Sequence, residues 1–194
     1  MKGYKILIVE DERISAESLK MTLKQLGYEI SSIVATGEDA IKKVKEELPD
    51  LILMDIKLKG NLDGIEAAEK IKEHYNTPII YTTAYADDYL IERAKITAPY
   101  GYVIKPFSKK ELHSNIEMAL TKNKQDRKIE RLNSVLRSLR EVDQIITTGH
   151  DRETLIRKVC DCLVETRGYK SAWLALLDDK KRLIETVTEK PVTN

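Results

Sequence analysis

The sequence predicts an α/β fold: a doubly wound, five-stranded parallel sheet, followed by a long C-terminal helix and a partial α+β tail. Two observations support the sheet. Over the first 120 residues, short apolar runs alternate with amphipathic stretches, and such alternation predicts repeated strand–helix units. The central runs are continuously apolar, as in strands that are covered on both faces. A segment of this length can bury a hydrophobic core.

The individual elements follow from where apolar residues repeat. The apolar runs predict strands at residues 5–9, 30–35, 51–54, 79–82 and 102–104. The amphipathic stretches predict helices at residues 14–26, 40–48, 65–74, 89–96 and 112–120. The first helix has an apolar stripe that we expect to be buried. This stripe consists of Ile14, Leu19, Leu23 and Leu26. Glycine and proline punctuate the breaks, at Gly27, Gly37, Pro49, Gly60, Gly64, Pro78 and Pro99.

The last of these helices has a start signal but no stop signal. Ser108 and Glu111 predict a capping box at its first turn. Apolar residues then continue at three- and four-residue spacing, with Asp143 as an interruption. They are Ile129, Leu132, Leu136, Leu139 and Ile146. The spacing predicts a coiled-coil-like linker over residues 123–149 and hence a homodimer. The alternative is a two-helix hairpin that folds back onto its own domain.

The tail, residues 150–194, predicts one helix and two strands. The helix covers about residues 152–166, and the strands cover 172–177 and 183–187 around a polar turn at 178–181. Two strands and one helix do not make an independent core. We therefore expect the opening of a larger domain, or a piece that another chain completes. Cys160 and Cys162 lie on different faces of the helix, so reduced thiols are expected.

Composition argues against nucleic acid and membrane partners. The formal net charge is +1, so no overall field attracts either. Residues 121–150 carry seven basic and four acidic side chains, and the interspersed acids favour a solvated helix face over a DNA contact. No apolar run approaches the length that spans a bilayer. Because the chain starts directly with a strand and no signal peptide, we expect a cytoplasmic location.

Acidic side chains follow two of the predicted strands. Glu10 and Asp11 come after the first strand, and Asp55 ends the third. The carboxyl ends of parallel strands share one edge of the sheet, where ligands bind. Three carboxylates repel one another and need a cation, and hard oxygen ligands with room for water suit Mg²⁺. The backbone carbonyl of Lys57 would supply another oxygen.

The same edge predicts phosphoryl chemistry. A carboxylate such as Asp55 can attack phosphorus and form an aspartyl-phosphate. Lys105, at the end of the fifth strand, would neutralise charge on the phosphoryl oxygens, and the Thr83 hydroxyl would contact one of them. Taken singly, Asp11 and Glu12 would serve as a helix cap and Asp55 as a solvated loop acid. Their joint position at strand ends favours the site.

Four motifs carry a family resemblance. They are ILIVEDE at residues 6–12, LILMD at 51–55, TA at 83–84 and GYVIKPF at 101–107. Together they resemble the receiver domain of two-component response regulators, over about residues 3–122. The resemblance implies a flavodoxin-like sheet of order 2-1-3-4-5. The sequence departs from the family pattern in two places. The loop at 56–64 is slightly long and lacks a proline, and Thr97 stands where glycine is common.

The resemblance also implies roles for individual residues. It implies phosphorylation on Asp55, with Mg²⁺ held by Glu10, Asp11, Asp55 and the Lys57 carbonyl. It implies that Thr83 and Lys105 bind the phosphoryl group. It further implies that Thr83 and Tyr102 form a switch, and that the bond before Pro106 is cis.

The linker and tail have a weaker resemblance. Residues 132–140 and 163–173, up to Trp173, are similar to a signalling helix that enters a GAF sensor domain, as in multidomain histidine kinases. At most a third of such a domain would fit into residues 150–194. Trp173 would belong to its core.

These observations lead to one main function and several alternatives. We expect a receiver that accepts a phosphoryl group on Asp55 from a sensor histidine kinase or phosphotransfer protein, and that signals through its last helix to a downstream domain. The alternatives are the N-terminal part of a hybrid histidine kinase and a docking module that is never phosphorylated. An aspartyl-phosphate phosphatase would usually have a second aspartate where Lys57 stands, so we expect no enzyme that turns over an external substrate.

Overall fold

The computed structural model describes residues 3–84, 93–147, 172–177 and 183–189. The chain divides into two compact units, Met1–Gln125 and Asp126–Asn194. The described elements run in the order β1 Lys5–Val9, α1 Arg13–Gln25, β2 Glu29–Val34, α2 Gly37–Glu47, β3 Leu51–Asp55, α3 Gly64–Lys72, β4 Ile79–Thr83, β5 Gly101–Ile104, α4 Lys109–Thr147, β6 Ala172–Leu177 and β7 Leu183–Glu189.

The first unit contains a five-stranded sheet of order β2-β1-β3-β4-β5. All four neighbouring pairs are parallel. The predicted fold class and strand order are therefore confirmed. β2 lies on one side of β1, and β3, β4 and β5 follow on the other side. The direction of strand addition therefore reverses between β1 and β3. In such sheets the crevice at the reversal point is where ligands bind.

Two hydrophobic cores lie on opposite faces of this sheet. Successive residues of a strand point to opposite faces, so Leu7 and Val9 of β1 pack in one core, whereas Ile6 and Ile8 pack in the other. Every residue of β3 is buried. The uninterrupted apolar run that predicted a doubly covered strand is explained by this arrangement.

The predicted buried stripe of α1 is wrong at one position. Leu19 and Leu23 are almost fully buried, but Ile14 is 80% exposed. Ile14 lies in the first turn of α1 and is not part of either hydrophobic core. The periodicity alone could not reveal this, because it gives the direction of a side chain and not the extent of the sheet beneath it.

Helix starts agree with the predictions only in part. The Ser108 hydroxyl accepts a hydrogen bond from the Glu111 backbone N–H at 3.1 Å, which is half of the predicted capping box. A complete box lies at α3, where Asp63 accepts from the Ile65 and Glu66 amides and the Glu66 carboxylate accepts from the Asp63 amide. Within the predicted helix 89–96, only residues 93–96 are described, and they are helical.

The last helix is continuous. α4 runs from Lys109 to Thr147 over 39 residues, so the hairpin alternative is wrong. Its first part packs on the sheet through Leu112, Ile116 and Ala119. Later on, Ile129, Leu132 and Leu136 are each more than half exposed. In the described parts of the chain, no helix is both long and apolar enough to span a membrane.

The second unit contains an antiparallel pair of strands, β6 and β7. Both strands were predicted, and β7 extends two residues beyond its predicted end. The predicted helix at 152–166, with Cys160 and Cys162, and the turn at 178–181 lie outside the described residues.

Candidate functional site

Four predicted site residues meet at the carboxyl edge of the sheet. Glu10 directly follows β1, Asp55 ends β3, Thr83 ends β4 and Lys105 directly follows β5. The strand register brings these ends level: Val9 is paired with Met54, Asp55 with Thr82, and Thr83 with Ile104. Chain segments up to 95 residues apart therefore reach one small pocket because the strands are parallel.

One ammonium group in the pocket contacts two carboxylates. The Lys105 Nζ donates to Glu10 Oε2 at 2.5 Å and to Asp55 Oδ2 at 2.6 Å. Glu10 and Asp55 are both buried, which makes these charge-assisted contacts stronger than surface ion pairs. Because one nitrogen touches both carboxylates, their oxygens lie within two hydrogen-bond lengths of each other.

The pKa values reflect this crowding. Burial raises the pKa of Glu10, and the negative charge of Asp55 raises it further, against the opposing hydrogen bond from Lys105. Burial by itself would lower the pKa of Lys105, but the hydrogen bonds to Asp55 and Glu10 prevail and the pKa is raised. The pocket therefore favours a protonated lysine and disfavours an additional negative charge.

Asp11 has a different partner. Its Oδ2 accepts from Lys59 Nζ at 3.0 Å. The residue that caps α1 is Glu12, and its side chain makes no capping hydrogen bond. The interpretation of Asp11 and Glu12 as a side-chain helix cap is therefore wrong, and the carboxylate of Asp11 pairs with a lysine instead.

The residues present fit a magnesium ion in their chemistry. Within the described ranges, no three His, Cys, Asp or Glu side chains form a metal-binding group by themselves. Magnesium does not require one, since it is usually held by one or two carboxylates and keeps several waters. Glu10, Asp11 and Asp55 offer carboxylate oxygens, and two lysine ammonium groups already lie against them. Together these three carboxylates and two ammonium groups carry a net negative charge.

The segment after Asp55 is turned toward the pocket. The Lys57 backbone N–H donates to Asp55 Oδ1 at 2.9 Å, which holds the carboxylate and the following peptide units in a fixed relation. The carbonyl of Lys57, the predicted backbone ligand, belongs to this turn.

Thr83 and Tyr102 lie on the neighbouring strands. Thr83 is 4% exposed, and its carbonyl accepts from the Lys105 amide at 2.7 Å. Tyr102 is half-buried, and its ring centre is 5.9 Å from that of Tyr81. The peptide bond between Lys105 and Pro106 is cis.

Sequence reasoning missed the role of Gly64. A Cβ atom at this position would lie 2.0 Å from the Asp55 carbonyl oxygen, well inside van der Waals contact. The Gly64 amide also donates to the Ile56 carbonyl at 3.0 Å. A glycine is therefore required for α3 to begin against the end of β3. The signal was present as Asp63-Gly64 before an amphipathic run, but it predicted only a break.

A groove adjoins the pocket. It has a volume of about 350 Å³ and lies between the first turns of α1 and the segment after β5. Lys105 belongs to its lining, so the groove and the acidic pocket share a wall. The apolar part of the lining consists of Ile14, Leu19, Pro106 and Phe107. The exposed position of Ile14 is thus at a concave surface beside the candidate site.

The sheet order and its acidic edge define the class of flavodoxin-like α/β proteins. Within that class, the family model described as response regulator receiver domain matches residues 6–117, which is more than half of the chain. The chain belongs to the response regulator receiver family. It is thus a receiver domain of the two-component type with a long C-terminal helix.

Several relatives support this assignment. The transcriptional regulatory protein PdtaR of Mycobacterium tuberculosis is 29% identical over 187 residues, which cover 84% of this chain and 91% of PdtaR. The receiver domain of a modulated diguanylate cyclase from Desulfovibrio desulfuricans is 39% identical, with a TM-score of 0.62, over 64% of this chain and 99% of that domain.

A third relative was solved with a metal. The receiver domain of the sensor histidine kinase PA1611 from Pseudomonas aeruginosa contains magnesium coordinated in its active site cleft. It is 31% identical, with a TM-score of 0.57, over 61% of this chain and 98% of that domain.

Proposed function

We propose that this receiver accepts a phosphoryl group on Asp55 from the phosphohistidine of a sensor kinase or phosphotransfer protein. The observation that carries the proposal is the Lys105 ammonium between the Glu10 and Asp55 carboxylates, 2.5 and 2.6 Å away. An Asp55 oxygen attacks phosphorus, an Asp–O–P bond forms, and the P–N bond to the donor histidine breaks. The donor nitrogen keeps the electron pair of that bond.

The chain's own residues prepare this transfer. The Lys57 amide fixes one Asp55 oxygen, which leaves the oxygen that faces Lys105 as the nucleophile. Lys105 and the Thr83 hydroxyl would bind oxygens of the transferred phosphoryl group. Asp11, Asp55, Glu10 and the Lys57 carbonyl would hold Mg²⁺. The ion, when bound, would offset the negative charge of the phosphoryl oxygens.

Acetyl phosphate tests phosphoacceptance without any partner. We expect the chain to gain a single phosphoryl group in the presence of Mg²⁺, as measured by intact mass. Asp55→Asn should gain none, and chelation of Mg²⁺ should abolish the gain. If the wild-type chain gains none under these conditions, the docking-module alternative replaces the proposal. Sustained turnover of phosphomonoesters would instead support an enzyme, which we do not expect.

The phosphodonor should dock on the groove beside Lys105. A donor histidine must reach Asp55, and the groove shares Lys105 with the pocket that contains Asp55. Its exposed apolar residue, Ile14, offers an anchor of the kind that interface centres contain.

A charge at Ile14 should therefore slow phosphotransfer from a protein donor but not from acetyl phosphate. We expect Ile14→Asp to slow phosphotransfer from a phosphohistidine protein by tenfold or more, on the order of a 1.4 kcal/mol contact. The rate with acetyl phosphate should stay unchanged, because that donor needs no surface. Met21→Asp, at an exposed position later in α1, is the control. Equal losses with both donors would argue against docking at the groove.

We further propose that α4 carries the signal to a second copy of the chain. Ile129, Leu132 and Leu136 form an exposed stripe with heptad spacing, and such a stripe is buried by another helix with the same repeat. A second copy of the chain supplies one. Phosphorylation would bias a two-state surface that includes Tyr102 and the start of α4.

Beryllofluoride with Mg²⁺, an imitation of the phosphorylated state, tests this coupling. We expect the dimer dissociation constant to change when it is added, and Asp55→Asn to show no change. A dissociation constant that stays the same in the wild type would refute signalling through α4.

For the remaining organisation we propose a receiver at 1–122, a helical linker at 123–149 and an incomplete GAF-like segment at 150–194. The antiparallel pair of β6 and β7 supports a β-containing downstream domain. A full-length reading frame that continues into a histidine kinase would make this chain part of a hybrid kinase. We propose a cytoplasmic location, which the match to the receiver family supports.

A further inference from the structure

The slightly long loop between β3 and α3 bears a lysine that pairs with Asp11. Lys59 Nζ lies 3.0 Å from Asp11 Oδ2. The Lys59 side chain is 84% exposed, whereas that of Asp11 is only 16% exposed. The ammonium group therefore lies largely in solvent, whereas the Asp11 side chain is largely covered by protein.

The loop is anchored on both sides of Lys59. On one side, the Asn61 amide donates to Glu38 Oε1 at 3.2 Å, and Gly60 adopts a φ of +134°, which favours glycine. On the other, the Lys57 amide donates to Asp55. The backbone that bears Lys59 is thus held by hydrogen bonds of its neighbours, independently of the contact with Asp11.

The charges of the pocket are divided between two lysines. Lys105 neutralises Glu10 and Asp55. In the described part of the chain, Lys59 is the cation that lies against Asp11. We propose that Lys59 is a positioning residue that competes with the divalent cation at Asp11, and so weakens magnesium binding to this receiver. This inference rests on the proposed function, in which Asp11 and Asp55 hold that cation.

The size of the effect follows from the exposure of Lys59. Exposed ion pairs contribute little, because water screens them and the lysine loses rotamer freedom. A cation that displaces such a pair should meet a penalty of about two- to fivefold in its dissociation constant. The penalty should shrink as KCl is added, since salt screens an exposed pair first.

Calorimetric titration with MgCl₂ tests the inference on the full chain. We expect Lys59→Gln to bind Mg²⁺ about two- to fivefold more tightly than wild type, and Lys59→Arg to resemble wild type because it keeps the charge. Lys70→Gln is the matched control, since Lys70 is an exposed lysine on α3 and its loss changes the net charge equally. The difference between the Mg²⁺ dissociation constants of wild type and Lys59→Gln should become smaller when KCl is added.

The outcomes separate this inference from the proposed function. If wild type binds Mg²⁺ and Lys59→Gln binds it equally, more weakly, or no differently from Lys70→Gln, competition by Lys59 is refuted and the cation site stands. If neither wild type nor Lys59→Gln binds Mg²⁺, the cation site is refuted, and the competition with it.

Discussion

Glu10 carries an unfavourable charge at neutral pH. Its pKa is raised above the ordinary value of 4.5, first by burial and then by the charge of Asp55. A carboxyl group whose pKa is higher in the folded chain adds stability below its unfolded pKa, and that contribution is lost as the pH rises through the folded value. The ionised group therefore costs stability at pH 7.

We expect Glu10→Gln to unfold at a higher temperature than wild type at pH 7 in the presence of a chelator. The difference should diminish as the pH falls below the ordinary value of 4.5, because Glu10 then becomes protonated in the unfolded state as well as in the folded one. Differential scanning calorimetry against pH is the measurement. Glu69→Gln, at an exposed position of α3, should have little effect. A lower unfolding temperature for Glu10→Gln at pH 7 would contradict this account.

Gly64 is required by a backbone contact at the end of β3. A methyl group in its place would overlap the Asp55 carbonyl oxygen at 2.0 Å, and backbone atoms cannot move aside as a flexible side chain can. We expect Gly64→Ala to destabilise the chain by about 1–3 kcal/mol, the usual cost of overpacking, in urea unfolding. It should also reduce phosphorylation, because Asp55 must shift.

Gly101→Ala is the matched control for this prediction. The nearest atom to its added methyl group would be the Asn115 side-chain oxygen at 3.2 Å, which can turn away. If the two substitutions cost the same, the close approach of α3 to β3 is not the reason for the glycine.

At the scale of elements, a polar network holds the segment that leads into β5. The Tyr81 hydroxyl of β4 is 2.9 Å from the Thr97 hydroxyl, which in turn donates to the Ala94 carbonyl. Lys72 of α3 donates to the carbonyls of Thr97 and Ala98. The Thr97 side chain, where the family often has glycine, thus links the helical residues 93–96 to the sheet.

Removal of the Thr97 hydroxyl should leave Tyr81 with a buried and unpaired group. We expect Thr97→Val to cost about 1–3 kcal/mol, the usual penalty for such a loss, in urea unfolding. The double variant Thr97→Val, Tyr81→Phe should cost less than the two single variants together, since they remove the same hydrogen bond. Additive costs would show that the two hydroxyls do not act as a pair.

At the scale of the whole molecule, the exposed stripe of α4 should decide the oligomeric state. We expect Leu132→Asn to weaken the dimer by tenfold or more, because it puts an amide into the centre of an apolar seam. Sedimentation equilibrium measures the dissociation constant. Arg131→Gln, exposed at the adjacent position and off the stripe, should leave it unchanged. A wild-type chain that stays monomeric at high concentration would refute the dimer.

Periodicity predicted the sheet well because each strand is covered on both faces. All five strands lie within a few residues of the apolar runs that predicted them, and their order followed from the family resemblance. Periodicity failed at Ile14, which lies in the first turn of α1 and is exposed. It also could not distinguish one long helix from a hairpin, since the same spacing of apolar residues suits either arrangement.

The candidate site was predictable to the extent that its residues end strands. Glu10, Asp55, Thr83 and Lys105 were found in this way, because a strand end is visible in one stretch of sequence. The partnership of Lys59 with Asp11 was not predictable, because it depends on how a loop is anchored to α2 through Glu38.

The linear order of apolar and polar residues by itself determined the number of strands, their parallel arrangement and the acidic character of one sheet edge. The strands follow from the spacing of apolar residues, and the edge is acidic because acidic residues end β3 and directly follow β1. The tertiary structure decided which lysine pairs with which carboxylate and where a glycine is needed for two backbone segments to come into contact. It also decided that α4 continues without a turn. Such contacts depend on distances between remote segments, which become defined only when the chain has packed.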